Sequence, residues 1–289
     1  MKKFLSSICL FTAIFFLTLY LMDLVITTGL KKSESATYNT LTKIFNKSIN
    51  ADIIIMGSSK ANVQVSPKIL DTILSMNTYN LGLNGMSFGP QHLENDLYLK
   101  HNPKPKIIIQ IVSNGLLVKK KELFGFMRYA PYLNLQEVKE MNQEYKGFTF
   151  LDYYIPFIRY SGHFGVISNG LLCNFGLDKQ KDINYKGYQE MDVPWDDTYE
   201  KYIKDNPNGT TIPLDNKTKT KFITYLANAK RNNILVFMVY APTYEPSQKL
   251  IKNRPEIFEF YTKTAFENGA IFIDYSNKDI STHKNLFYN

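Results

Sequence analysis

The sequence predicts a three-layer α/β fold in which a doubly wound parallel β-sheet lies between helices, in the flavodoxin-like arrangement. Three observations predict it. Short runs rich in isoleucine and valine lack alternation, which indicates strands that are buried on both faces. Amphipathic segments separate these runs, so that strands and helices alternate along the chain. Several runs end in small polar residues, and the carboxyl ends of parallel strands are where such sheets bind ligands.

The N-terminus predicts a single membrane-spanning helix over residues 1–30. Residues 4–22 carry no charge, Asp23 interrupts them, and residues 24–30 are again mostly apolar. About 20 apolar residues cross a bilayer, and no clear cleavage site follows, so we interpret the segment as an uncleaved anchor in membrane lipid. Lysine pairs flank both ends, so charge hardly discriminates the orientation. A short N-terminal tail that stays in the cytoplasm predicts an extracytoplasmic domain.

The first predicted strand leads into a turn that contains two serines. Residues 31–50 are predicted to be a linker with a short helix, and the domain proper is predicted to cover residues 51–289. The strand at 53–56 ends in Gly-Ser-Ser at 57–59, and a turn and a helix with Pro67 at its first turn follow. A serine at this position can be an exposed nucleophile or can simply cap the helix, and the local sequence slightly favours the cap.

Two further strand ends carry candidate ligand groups. A short strand at 77–81 runs into a turn that contains Gly82 and Gly85, and a strand at 106–113 is followed by Asn114. Glycines allow a backbone to approach a ligand, but ordinary turns also need them. Taken alone, Asn114 before Gly115 is more often a turn residue than a ligand.

The second half of the chain contains an insertion and then returns to the alternating pattern. Residues 116–215 are rich in tyrosine and phenylalanine and are predicted to form helices and loops. The remaining predicted elements are helices at 90–99, 217–232 and 248–268 and strands at 234–240 and 270–274.

Composition excludes several kinds of function. The chain has 289 residues, of which 44% are hydrophobic, and a net charge of +8. The lysines are scattered and no nucleic-acid motif is present, so we predict no nucleic-acid partner. Cys9 and Cys173 lie far apart, the four histidines are isolated and Gly57–Lys60 lacks the phosphate-loop spacing. We therefore predict neither a disulfide nor a metal or other cofactor.

The serine, glycine and asparagine positions together resemble those of the SGNH (GDSL-type) hydrolase superfamily, in its membrane-anchored bacterial branch. The resemblance covers about residues 51–289. It implies that Ser59 is the nucleophile of an esterase or acyltransferase. It also implies that the Ser59 N–H, a glycine N–H from Gly82 or Gly85, and the Asn114 side chain form the oxyanion hole.

The sequence departs from this family at the base. Members carry an Asp-x-x-His motif after the last strand, whereas Ile280 stands three residues before His283. His92 is a weak substitute base. We therefore expect a membrane-anchored, extracytoplasmic serine esterase or O-acyltransferase that acts on acyl esters of a cell-surface glycan and is truncated or impaired. The alternative is a non-catalytic, membrane-tethered relative that binds a glycan or a protein.

Overall fold

The computed structural model describes residues 1–178, 184–196 and 198–287. It divides the chain into two compact units, each built from two segments. One unit comprises residues 1–46 and 121–183, and the other comprises residues 47–120 and 184–289. The predicted insertion at 116–215 is therefore shared between the two units.

A five-stranded sheet, parallel throughout, forms the centre of the second unit, which confirms the predicted α/β class. Its strand order is β2-β1-β3-β4-β5. The strands are β1 (Ile53–Met56), β2 (Thr78–Asn80), β3 (Ile107–Val112), β4 (Leu235–Tyr240) and β5 (Ile271–Asp274).

The isoleucine-rich strands form the core of this sheet. All four residues of β1 are buried, and Ile53 pairs with Thr78 on one side and with Ile107 on the other. Ile55 and Ile111 pack with Ala241 in one apolar cluster. A strand flanked by two parallel neighbours and covered on both faces has no polar side to present, which explains the unbroken apolar run.

Helices of the second unit connect the strands. They are α3 (Ser59–Gln64), α4 (Pro67–Leu74), α5 (Phe88–His101), α9 (Thr198–Asp205), α10 (Asn216–Arg231), α11 (Glu245–Lys249) and α12 (Arg254–Asn268). Helix α10 contacts α5, α12 and β4, whereas α4 contacts β2. The chain steps one way along the sheet from β1 to β2 and the other way in the connections to β3, β4 and β5. With right-handed crossovers, the β1–β2 connection therefore lies on one face of the sheet and the three later connections lie on the other.

Two helix predictions need correction. Residues 59–64 are helical and not a simple turn, although Pro67 does begin the next helix as predicted. The segment at 248–268 is two helices, because α11 ends at Lys249 and α12 starts at Arg254 with Pro255 in its first turn. Proline has no N–H to donate and fits only the first turn of a helix, so it starts a new helix here.

Helices and 3₁₀ turns form the other unit. Helix α1 (Lys2–Leu30) has 29 residues and exposes apolar side chains along most of its length, so it is long and apolar enough to span a membrane. The remaining helices are α2 (Asn39–Phe45), α6 (Gln136–Asn142), α7 (Phe150–Tyr154) and α8 (Phe164–Asn174).

The C-terminal end of α1 is packed within this unit. Ile26 and Leu30 are fully buried and contact Tyr160. The Asp23 carboxylate lies 2.5 Å from the Arg159 guanidinium and accepts a 2.9 Å hydrogen bond from the Phe157 N–H. A charge near an apolar helix is tolerated when it is paired in this way, which accounts for the aspartate that interrupts the apolar segment.

Candidate functional site at the carboxyl edge of the sheet

Ser59 lies at the carboxyl end of β1, as the first residue of α3. Gly57 makes the turn possible: its φ is +147°, and a Cβ there would lie 2.7 Å from Ala61 Cβ and 3.0 Å from Ile111 Cβ. Ser59 is half-buried. Its side chain forms no hydrogen bond with any residue in the described part of the chain. The hydroxyl is therefore available for chemistry.

Asn80 holds the helix that carries Ser59. This buried side chain, at the end of β2, donates hydrogen bonds of 2.7 Å to the Ala61 carbonyl and 2.9 Å to the Val65 carbonyl. Its Oδ1 oxygen accepts a 2.8 Å bond from the Gly82 N–H. One side chain thus satisfies polar backbone groups of the helix, of the residue after it and of the neighbouring loop.

The two candidate glycines differ in their surroundings. The Gly82 backbone lies against α3, since a Cβ there would approach Asn62 N to 2.5 Å. Its N–H is already donated to Asn80 and is not free for an oxyanion. Gly85 lies in an exposed turn, with φ of +73°, that follows Leu83. The Leu83 N–H donates to the Gly57 carbonyl at 2.9 Å, so this loop runs beside the serine turn.

Asn114 and the helix of Ser59 meet at Tyr240, the last residue of β4. The Asn114 side chain lies beside the Tyr240 hydroxyl and favours its ionised form, although burial raises the pKa of Tyr240 overall. The Asn114 Oδ1 oxygen is buried and accepts no hydrogen bond from a described residue. The Lys60 ammonium also lies near this tyrosine, 5.5 Å from the centre of its ring. The structure therefore brings Asn114 and Lys60, the residue after Ser59, to the same tyrosine.

Lys60 is the least expected member of this cluster. Its ammonium donates a 2.6 Å hydrogen bond to the Thr243 hydroxyl, which in turn donates to the Ala241 carbonyl at 3.2 Å. Desolvation lowers the pKa of Lys60 to about 8. No carboxylate within the described ranges forms an ion pair with it, so its charge is uncompensated by the residues that surround it.

A cavity of about 200 Å³ opens beside Lys60. Its apolar wall is made by aromatic rings, in which Trp195 packs edge-on against Tyr199 at 5.4 Å and against Tyr244 at 5.2 Å. Phe287 completes the wall, and Gln64, four residues after Lys60, supplies a polar group from the same face of α3.

The histidines lie elsewhere or in solvent. His92 is packed between α5 and α10, where its ring contacts Phe88 and Tyr225 and its Nδ1 lies 3.3 Å from the Asp96 carboxylate. Burial lowers the pKa of His92, which the Asp96 charge opposes. His283 follows β5, and its Nε2 lies 3.8 Å from the exposed carboxylate of Asp279, four residues earlier.

Sequence reasoning missed Lys60, Asn80, Tyr240 and Trp195 as members of one site. Lys60 directly follows the serine turn, but its significance comes from Tyr240 and Thr243, which lie far away in sequence. Asn80 carries a detectable signal, because a polar residue at the buried end of an apolar strand must satisfy a hydrogen-bonding need. Within the described residues, no three His, Cys, Asp or Glu side chains converge as metal ligands would.

Comparison of the sequence with protein-family models and with curated proteins gives no match.

Proposed function

We propose that this chain is a membrane-anchored serine esterase or O-acyltransferase of the SGNH type, with Ser59 as its nucleophile. The single observation that carries the proposal is the position of Ser59: a half-buried serine at the carboxyl end of a central parallel strand, with no hydrogen-bond partner among the described residues. The strand order of the sheet is that of flavodoxin-like folds, which bind ligands at this edge.

In the proposed reaction, the Ser59 oxygen attacks the carbonyl carbon of an acyl ester. The Ser59 proton passes to a base and then to the departing sugar hydroxyl, which leaves an acyl group on the serine. Water or a second hydroxyl takes up the acyl group and restores the serine. The Ser59 N–H and the Asn114 side chain are the oxyanion donors on which the proposal depends, because the Gly82 N–H is engaged by Asn80.

We assign the base to His283. It is the histidine that follows β5, although it precedes the position of the family's Asp-x-x-His motif. Its Nε2 lies 3.8 Å from the exposed Asp279 carboxylate, which is beyond hydrogen-bond distance. His92 is a poorer choice, because it is packed among the rings of Phe88 and Tyr225.

The proposed location follows from α1. An apolar helix of 29 residues fits a single-pass anchor in membrane lipid, and a short N-terminal tail in the cytoplasm would place the sheet on the extracytoplasmic side. The substrate would then be an acylated polysaccharide of the cell surface. A reporter active only in the cytoplasm, fused to the C-terminus, would contradict this orientation if it were active.

Hydrolysis of an aryl acetate by the purified full chain in detergent tests the chemistry. We expect Ser59→Ala to lower the rate at least 100-fold and to abolish labelling of the protein by a fluorophosphonate. Ser58→Ala is the matched control, since the Ser58 side chain does not cap the helix. Equal rates for the wild type and Ser59→Ala would remove Ser59 from the mechanism, and an unchanged rate for His283→Ala would remove the assigned base.

A second function is favoured by the engaged Gly82 N–H and by the position of His92. Two of the candidate catalytic groups are committed to structural contacts, as expected if the fold is used only for binding. The chain would then be a tethered glycan- or protein-binding relative. This function predicts no fluorophosphonate labelling, together with ligand binding that survives Ser59→Ala.

A further inference from the structure

The cavity beside Lys60 combines a cation with an aromatic wall, and no step of the proposed acyl transfer uses either. Lys60 and Gln64 enter it from α3, whereas Trp195, Tyr244 and Phe287 line it from distant parts of the sequence. Pockets that bind drug-sized ligands have volumes of roughly 300–1,000 Å³. A cavity of about 200 Å³ therefore limits the ligand to one ring-sized group.

Lys60 lines the cavity, and its ammonium has unused donors. An ammonium has three N–H donors. One of them is taken by the Thr243 hydroxyl at 2.6 Å, and that hydroxyl is fixed as an acceptor because its own proton goes to the Ala241 carbonyl. Two N–H donors of the Lys60 ammonium remain. Because this cation is desolvated, an anionic oxygen that accepts from them would offset the cost of its desolvation.

The other charges around the cavity are balanced. Lys284 lies 4.7 Å from the centre of the Trp195 ring, but its ammonium donates to Glu200 at 2.8 Å. The Trp195 N–H also donates to Glu200, at 3.2 Å. Arg254, which lies 5.7 Å from the centre of the Tyr240 ring, pairs with the Asp274 carboxylate at 3.9 Å. Lys60 is thus the cation that lacks a counter-charge among the described groups at this site.

The aromatic wall suits one face of a sugar. The C–H bonds of a pyranose ring form an apolar face that can pack on an indole, while its hydroxyls need donors and acceptors such as Gln64 and Ser247, which also line the cavity. Edge-on contacts with Tyr199 and Tyr244 hold the Trp195 ring in place. A cationic ligand is disfavoured, because Lys60, which has no counter-charge among the described groups, lines the same cavity.

We propose that this cavity binds a single sugar residue that carries a carboxylate or phosphate group, with the anion on Lys60 and the ring against Trp195. The binding itself is independent of Ser59 chemistry. The identification of this sugar as part of the acylated substrate rests on the proposed function, and it would make that substrate an anionic polysaccharide.

Trp195 is the only tryptophan of the chain, so its fluorescence reports on this cavity directly. We would titrate the full chain in detergent with glucuronate, glucose 6-phosphate and glucose at pH 6.5, and repeat the titrations by calorimetry. We expect saturable binding of at least one anionic sugar and binding of glucose at least tenfold weaker. The two anionic sugars distinguish a carboxylate from a phosphate.

The variants separate this proposal from the catalytic one. Lys60→Met should weaken anionic-sugar binding at least tenfold, while the matched control Lys249→Met, an exposed lysine of α11, should leave it unchanged. Ser59→Ala should bind as the wild type does. Because Ser59→Ala abolishes fluorophosphonate labelling but should keep sugar binding, failure of sugar binding and failure of the nucleophile give different results.

A pH titration of the wild type tests the same contact without a substitution. Because the pKa of Lys60 is about 8, its charge is present below that pH and is lost as the pH rises through it. Other titratable or charged groups near Lys60 and the cavity are Tyr240, Arg254, Tyr199, Tyr244, Glu200 and Lys284. Desolvation raises the pKa of Tyr199, and hydrogen bonding with Lys284 lowers the pKa of Glu200. Both shifts move the pKa further from 8, so neither group should titrate in the range where Lys60 does.

We expect affinity for the anionic sugar to fall at least fivefold between pH 6.5 and pH 9.5, and the wild type to resemble Lys60→Met at the higher pH. Three results would overturn the proposal: no binding of either anionic sugar, equal affinity for glucose, or the same affinity in the wild type and Lys60→Met. If Lys60→Met does not fold, judged by circular dichroism, the pH dependence of the wild type decides, and a flat profile counts against the proposal.

Discussion

Replacement of Asn80 by alanine should loosen the helix that carries Ser59. The side chain forms three hydrogen bonds with backbone groups, to Ala61, to Val65 and from Gly82. Each intramolecular hydrogen bond contributes a net ~1 kcal/mol, so the change should lower the free energy of unfolding by about 3 kcal/mol. Water that enters the new space can reduce this cost, while the backbone groups left without partners increase it.

Equilibrium urea unfolding followed by Trp195 fluorescence measures this effect, because Trp195 belongs to the same unit as Asn80. Domains of 150–250 residues shift by about 2–4 °C per kcal/mol, so we also expect the melting temperature to fall by about 6–12 °C. Asn84→Ala is the matched control. Asn84 is an exposed asparagine in the adjacent loop, and its loss should cost less than about 0.5 kcal/mol.

Asn80→Asp tests whether the Asn80 amide is the donor to the Ala61 and Val65 carbonyls. Asn80→Asp keeps an acceptor for the Gly82 N–H but turns a carboxylate oxygen towards the Ala61 and Val65 carbonyls. The carboxylate should therefore have a raised pKa, and the variant should gain stability as the pH falls and the acid becomes a donor. A cost below about 1 kcal/mol for Asn80→Ala, or an aspartate variant whose stability does not rise on acidification, would refute this account of how α3 is held.

Two further substitutions test the surroundings of α3 and β2. Gly82→Ala should destabilise the protein by about 1–3 kcal/mol and slow labelling of Ser59, because its Cβ would lie 2.5 Å from Asn62 N. Gly115→Ala is the control, because its Cβ would meet nothing within 4 Å. Equal stability of the two variants would contradict the prediction. Asp71→Asn should cost about 1–2 kcal/mol at pH 7. Burial raises the pKa of Asp71, but its bonds with Lys186 and Thr78 lower that pKa overall. Its contribution to stability therefore exists above the ordinary carboxyl pKa of about 4 and is lost below it. Urea titrations at pH 7 and pH 3 should show the difference from the wild type shrinking at the lower pH, and a difference that does not change with pH would contradict the ion pair.

Local sequence predicted the strands well, because burial on both faces of a parallel sheet leaves an unmistakable pattern. The isoleucines of β1 are all buried and those of β3 are buried or half-buried, so the unbroken apolar run carries the information by itself. Helix breaks were less predictable. Pro67 marks the start of α4 correctly, yet the similar signal of Pro255 lies within an apolar pattern that continues across the break.

The cavity could not be predicted in the same way. The residues that line it come from α3, from α9 and the loop before it, from the segment after β4 and from the C-terminal segment. No periodicity in the sequence relates Lys60 to Trp195 or Phe287. Nor does sequence show that the Gly82 N–H is occupied, because that depends on the rotamer of Asn80. Strand ends locate the edge of the sheet where a site forms, whereas the packing between distant segments determines which groups remain available there.

The six-residue helix α3 separates structural and ligand-facing functions by its periodicity. The Ala61 carbonyl and the Asn62 backbone are held by contacts with Asn80 and Gly82, whereas Lys60 and Gln64, four residues apart, share the face that lines the cavity. Substitutions on the first face should therefore alter stability and the position of Ser59 together. Substitutions on the second should alter ligand affinity while leaving unfolding nearly unchanged, because removing an uncompensated, desolvated cation relieves a cost in the folded state. If Lys60→Met destabilised the protein as strongly as Asn80→Ala, Lys60 would be a structural group and the separation of the two faces would be wrong.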